Sequence, residues 1–92
     1  MSAQADFRKL VEFPTDYMFK AFGPEDPAGH FATEVHRAVN RVLPVPLDAL
    51  RTRPSRQGRY ACVTVLVRLH NQTQLNDVYL ALKGLPNLLY LL

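Results

Sequence analysis

The sequence predicts an α+β domain, a two-layer sandwich with elements in the order β-α-β-β-α-β, and three observations carry that prediction. Residues 59–69 alternate strictly, with Ala61, Val63, Val65, Val67 and Leu69 on one side and Tyr60, Cys62, Thr64, Leu66 and Arg68 on the other, the period of a strand. Two stretches instead follow the helical period: Phe31, Val35, Ala38, Val39 and Val42, then Leu75, Val78, Tyr79 and Leu82. Proline- and glycine-rich punctuation falls between these segments, where turns need those residues.

The elements follow in order. Phe7, Leu10 and Val11 stand at i, i+3, i+4, which predicts one or two helical turns over residues 4–11, stopped at Phe13-Pro14 because the residue before proline disfavours the α region. In Thr15 to Phe22, Tyr17, Phe19 and Ala21 alternate with Met18, Lys20 and Phe22, predicting an aromatic-rich strand closed by Gly23. Asp26 as N-cap and Pro27 at the first helical position start a helix that runs to about Val42 and ends before Pro44 and Pro46. Leu50 to Arg53 is a short second strand, and Pro54-Ser55-Arg56-Gln57-Gly58 turns the chain into the third. Asn71 followed by Gln74 reads as a capping box, the helix stops at Gly84, and Leu88 to Leu92 is the last strand. This order is the ferredoxin-like unit, two helices on one face of an antiparallel sheet of spatial order 4-1-3-2. The expected organisation is an N-terminal arm or short helix over 1–14 and one domain over 15–92.

At 92 residues, 48% hydrophobic and 21% charged, the chain holds one modest core. A single Cys rules out an internal disulfide and any Cys-rich zinc or iron–sulfur site, and suits a reducing compartment, so the cytoplasm is the expected location. Met1 to Lys9 contains no apolar h-region, and no apolar run, Leu88 to Leu92 included, exceeds five residues, so neither export nor a membrane span is expected. Eleven Lys and Arg against eight Asp and Glu give +3, too mild to carry a nucleic-acid reading without a localised patch.

A register argument locates such a patch. If Ser55 and Gly58 close the hairpin, Arg53 stands opposite Tyr60, Arg51 opposite Cys62 and Leu50 opposite Val63. The face left uncovered by helices then carries Met18, Lys20 and Phe22, Tyr60 to Arg68, Arg51 and Arg53, and Leu89 and Leu91 from the last strand, half of it apolar and half basic. Such a face calls for cover by a second copy, a protein partner or the N-terminal segment itself. Arg51, Arg53, Arg56 and Arg59 lie within nine residues and suit phosphate or carboxylate, although charged edge strands also serve simply to block strand addition. Lys20, central in the sheet, needs a bound anion or water. RNA recognition on a sheet needs stacking aromatics, and of the central-strand residues only Tyr60 and Phe22 qualify.

Enzyme readings are weaker. His30 and His36 are six apart, about 240° around a helix, so they do not chelate one metal as an i, i+4 pair would. Cys62 has no sequence neighbour that would lower its pKa and reads as packing material. Phosphate binding at the first helix, as in acylphosphatases of similar fold, is opposed by Pro24 and Pro27, which lack amide donors, and by Glu25 and Asp26. No cofactor and no metal site are expected.

Glu12-Phe13-Pro14-Thr15, Phe19-Lys20 before Gly23, the Pro54-Ser55-x-x-Gly58-x-Tyr60 hairpin, and a helix with Leu75 and Tyr79 leading to a short final strand together resemble the YbeD-like family of small bacterial proteins over about residues 10–92. The proline-rich connection around Leu43 to Leu47 and the very apolar final strand depart from the family pattern. The resemblance implies an ACT-like fold and a non-catalytic regulatory or interaction module, a family without an assigned activity. It suits the Lys20, Arg51, Arg53 and Tyr60 neighbourhood as an anion or amino-acid site, and with the register argument the interface or ligand candidates are Lys20, Phe22, Arg51, Arg53, Ser55, Gly58, Tyr60, Cys62, Leu66, Leu89 and Leu91, for a homodimer, a protein partner or a small anionic metabolite. Nucleic-acid binding through the Arg51–Arg59 hairpin is the alternative, and a small phosphoryl or acyl enzyme the third reading.

Overall fold

The computed structural model describes residues 11–25, 28–55 and 58–92. The expected order is present: β1 (Thr15–Pro24), α1 (His30–Asn40), β2 (Leu50–Pro54), β3 (Tyr60–Leu69), α2 (Gln72–Lys83) and β4 (Tyr90–Leu91). The four strands form one antiparallel sheet in the order β2-β3-β1-β4, the ferredoxin-like arrangement. The helical turns expected over residues 4–11 and the Arg56 member of the arginine cluster fall outside the described residues, Val11 apart.

Alternation decides which side of the sheet is buried. Phe19 and Ala21 of β1 and Val63, Val65, Val67 and Leu69 of β3 face the helices and meet Val35, Ala38, Val39, Val78 and Leu82, each at most 1% exposed. The central β1–β3 pair runs in unbroken register from Thr15 opposite Leu69 to Pro24 opposite Tyr60, which sets the core residues Phe19 and Ala21 directly beside the core residues Val65 and Val63.

Several expected boundaries move. The first helix does not start at Asp26 and Pro27; its N-cap is Gly29, held in the left-handed region at φ 77°, so the chain turns just before His30, and the Thr33 hydroxyl donates to the Gly29 carbonyl at 3.0 Å. Gly23 does not end β1 but lies within it, buried, with Phe31 of α1 packed where a Cβ would be. The second helix begins as expected: Asn71 Oδ1 accepts from the Gln74 amide at 2.9 Å. The return bond of the capping box goes one residue further back, with the His70 amide donating to Gln74 Oε1 at 2.8 Å.

The proline-rich connection is pinned to α1 by two side chains. His36 Nε2 lies 2.6 Å from the Val45 carbonyl, so that nitrogen carries the proton and donates, and Asn40 Oδ1 accepts from the Val45 amide at 2.9 Å. His36 is thereby a structural clamp, which leaves Val45 buried.

At the end of the sheet away from the β2–β3 hairpin, the hydroxyls of Tyr17 on β1 and Tyr79 on α2 are 2.9 Å apart, and the Tyr79 ring stands edge-on to Phe19 with centroids 5.0 Å apart. Burial, and then the hydrogen bond and charge repulsion from Tyr17, push the Tyr79 phenol from 10.0 up to about 12. The folded state thus holds the neutral phenol better than the unfolded chain does. The stability this contributes is complete below pH about 10 and is lost as pH rises towards 12. Melting temperatures recorded across that range should fall with pH, and Tyr79→Phe should make the fall shallower; an unchanged slope in the variant would remove Tyr79 as its source.

Candidate interface on the open sheet face

The hairpin that sets the face departs from the expected register by two residues. The Gly58 amide donates to the Ser55 carbonyl at 3.0 Å, and the Ser55 amide donates to the Tyr60 carbonyl at 2.7 Å. Ser55 Oγ accepts from the amides of Arg59 and Tyr60 at 3.1 and 3.4 Å. Gly58, at φ 67°, occupies a conformation that costs a side-chain-bearing residue energy, and the turn consumes both Gly58 and Arg59 before the ladder starts. Arg53 therefore stands opposite Cys62 rather than Tyr60, Arg51 opposite Thr64 rather than Cys62, and Leu50 opposite Val65 rather than Val63. Because side chains alternate with period two, a shift of two keeps every residue on its expected face.

The last strand is corrected in the other sense. Leu91 pairs with Ala21 and packs against the core, so it does not lie on the open face. Tyr90 pairs with Phe22 there instead, ring centroids 5.9 Å apart. Leu92 joins it, exchanging both backbone hydrogen bonds with Lys20 at 2.8 and 3.2 Å. Leu89, just before β4, is exposed.

Registers on three strand pairs order the open face into rows. One row reads Arg53, Cys62, Phe22, Tyr90; the next reads Arg51, Thr64, Lys20, Leu92; then Leu66 stands beside Met18, and Arg68 beside Asp16. Met18, Tyr60, Leu66, Leu89, Tyr90 and Leu92 are each 41–63% exposed, large apolar side chains spread from the hairpin end of the face to its middle. Phe22, Tyr60, Leu89 and Tyr90 enclose a shallow hollow of about 280 Å³. Cys62 is half-buried in mid-face, its Sγ 3.8 Å from Thr64 Oγ1.

The charges are uneven. Asp16 is the one carboxylate in these rows, and Arg68 holds it at 3.3 Å. Lys20, Arg51, Arg53 and the neighbouring Arg59 are exposed and make no ion pair among the described residues. Lys20 reaches solvent from the open side of the sheet centre. A larger cleft, about 490 Å³, lies beneath the Leu43–Pro46 connection beside Leu66 and Arg68, but the arginine there is already engaged by Asp16.

The family model described as a protein of unknown function (DUF493) matches residues 8–92. The chain belongs to this family. It is 42% identical over 79 residues to a UPF0250 protein of Paraburkholderia phytofirmans, covering 84% of this chain and 85% of the relative. It is 35% identical over 83 residues to a UPF0250 protein of Neisseria gonorrhoeae, covering 89% of each. A UPF0250 protein of Bordetella parapertussis is 35% identical over 78 residues, 84% of each chain. The YbeD-like resemblance read from the hairpin and the Phe-Pro-Thr opening is thus membership of this group of small bacterial proteins. Among the described residues, no helix is long and apolar enough to cross a membrane.

Tyr90 and Leu92 are the face residues that sequence reasoning missed. Leu88 to Leu92 is apolar throughout, so no alternation marks which residues point to the helices; only pairing with β1 makes that choice.

Proposed function

We propose that the chain is a non-catalytic interaction module that docks an acidic protein partner on its open sheet face. The supporting observation is the coincidence of an exposed apolar run with three cations in the same rows, Lys20, Arg51 and Arg53, that have no ionic partner among the described residues, while Asp16, the carboxylate of these rows, is already engaged. Strand spacings make the face roughly 14 Å between outer strands and roughly 34 Å along β1 and β3, an outline of roughly 480 Å², within a factor of two of the about 800 Å² of accessible surface per partner in a standard interface. A second copy stacked face to face would bring like charges together, which costs association energy. The hollow beside Phe22 is lined by aromatic and aliphatic groups, which gives a small anion no charged partner there.

The test is a titration of isotope-labelled protein with a poly-glutamate peptide, followed by amide shifts. The expected result is perturbation at Lys20, Arg51, Arg53 and Thr64 that fades with salt, and a loss of about tenfold or more in affinity for the Arg51→Glu, Arg53→Glu double variant, since like charges repel at short range. Shifts confined to the helical side would overturn the reading. In sedimentation, a concentration-dependent dimer dissolved by Leu66→Glu would replace the acidic partner with a second copy.

Tyr90 favours a second reading. Together with Phe22 and Tyr60 it puts three aromatic rings on the open face beside cations, the composition of a stacking platform for single-stranded nucleic acid. Binding of an oligouridylate with a steep salt dependence and no response to poly-glutamate would select it. The aliphatic stretch of Met18, Leu66 and Leu92 weighs against it, because bases and phosphates give such side chains no apolar cover.

A further inference from the structure

We infer that the hollow between Phe22, Tyr60, Leu89 and Tyr90 is the anchor pocket of this face, taking one bulky apolar side chain from the partner, and that the partner carries carboxylates two and four residues beyond that anchor. The inference rests on the interaction-module reading and adds to it the chemistry of the recognised segment.

The hollow is built from three strands: Phe22 from β1, Tyr60 from β3, and Tyr90 with its neighbour Leu89 from β4. Its volume, about 280 Å³, is the scale of a single large side chain rather than of a drug-sized ligand, for which sites run from about 300 to 1,000 Å³. Protein interfaces concentrate affinity in such places, where one aromatic or aliphatic group fills an apolar recess and loses its water. The recess holds no unpaired cation of its own, so the anchor itself is uncharged.

The cations lie to one side of it. In the row that contains the hollow, Arg53 is two strands away from Phe22, across Cys62, or about 10 Å at ordinary strand spacing. Lys20 and Arg51 occupy the adjacent row, two residues along their strands, about 7 Å off. An extended segment crossing the strands from the hollow towards β2 presents same-side residues every ~6.8 Å. Its second residue beyond the anchor therefore comes down between Phe22 and Arg53, within reach of the long Lys20 and Arg53 side chains. Its fourth comes down over β2, at Arg51 and Arg53. Carboxylates at those two positions meet guanidinium and ammonium groups that have no other ionic partner among the described residues, and Arg forks bind carboxylate well.

The experiment is selection of a randomised peptide library, displayed on phage, against the immobilised protein, sequenced in parallel against Tyr90→Ser and against the Arg51→Glu, Arg53→Glu double variant. Tyr90 is largely exposed, so its serine variant should melt at the wild-type temperature; Tyr60→Ser serves as a second variant of the same wall. Peptides enriched on the wild type should share one large apolar residue with acidic residues two and four positions to one side. Synthetic copies should bind at least tenfold more weakly when the apolar residue is made alanine or when Tyr90→Ser is the target. Acidic peptides without a common anchor, bound equally by Tyr90→Ser, would overturn the anchor pocket while leaving the acidic-partner reading standing. Enrichment indifferent to the arginine reversals would overturn both. Tight binding of an oligouridylate that Tyr90→Ser abolishes, with no acidic peptide enriched, would assign the hollow to a base instead.

Discussion

Replacing Phe19 by alanine should destabilise the protein by about 3–5 kcal/mol, the range for emptying a large aromatic from a core that cannot collapse around the space. Phe19 is 1% exposed, stands opposite Val65 on the central strand pair, and packs against the rings of Tyr17 and Tyr79 at centroid distances of 4.8 and 5.0 Å. Small domains hold only about 5–15 kcal/mol in total, so the variant would keep a fraction of the native margin and its melting temperature should drop by about 15 °C or more. Urea unfolding measures the loss directly. Phe22→Ala is the internal control, because Phe22 lies three residues along the same strand but on the open face and should cost less than half as much. Equal losses in the two variants would contradict the assignment of faces on which the interface rests.

Gly23→Ala should cost about 2 kcal/mol although it adds a single methyl group. A Cβ at this position would lie 2.5–2.6 Å from three ring atoms of Phe31, well inside contact distance, and Phe31 is itself 4% exposed. The ring has no solvent to retreat into, so helix and strand must separate or the ring must leave its rotamer, and overpacking of this kind costs about 1–3 kcal/mol. The discriminating measurement is a double-mutant cycle with Phe31→Leu. In that background the added methyl gains room, and Gly23→Ala should become nearly neutral, a coupling of the size expected between residues in contact. Additive losses would mean that the glycine acts through its backbone alone.

The two positions show what kind of information each level carries. Phe19 was legible as a core residue because it sits in phase with Tyr17 and Ala21 against Met18, Lys20 and Phe22, and a sheet covered on one side must sort its residues by parity. Gly23 reads equally well as the end of a strand, which is how its sequence context suggested it; that it lies inside β1 under an aromatic ring depends on where α1 lands. Asp26 and Pro27 made a plausible helix start, yet the helix begins at His30 after the turn at Gly29, since a cap must also suit the path from the sheet to the helix layer.

The candidate face divides in the same way. The alternation on β1, β2 and β3 determined its membership from sequence alone: Met18, Lys20, Phe22, Arg51, Arg53, Tyr60, Cys62 and Leu66 are all where parity put them, and the two-residue error in the hairpin register moved cross-strand neighbours without moving any side chain between faces. Only the tertiary structure decided the fourth strand. A run of five apolar residues from Leu88 to Leu92 satisfies either face, and backbone pairing with Lys20 and Phe22 turns Leu91 to the core and Tyr90 and Leu92 outward. Without that choice the face has two aromatic rings and no hollow. With it, a third ring closes the recess beside the arginine row, because hydrogen-bond registry, which no hydrophobic pattern encodes when every residue is apolar, selects which side of the strand looks out.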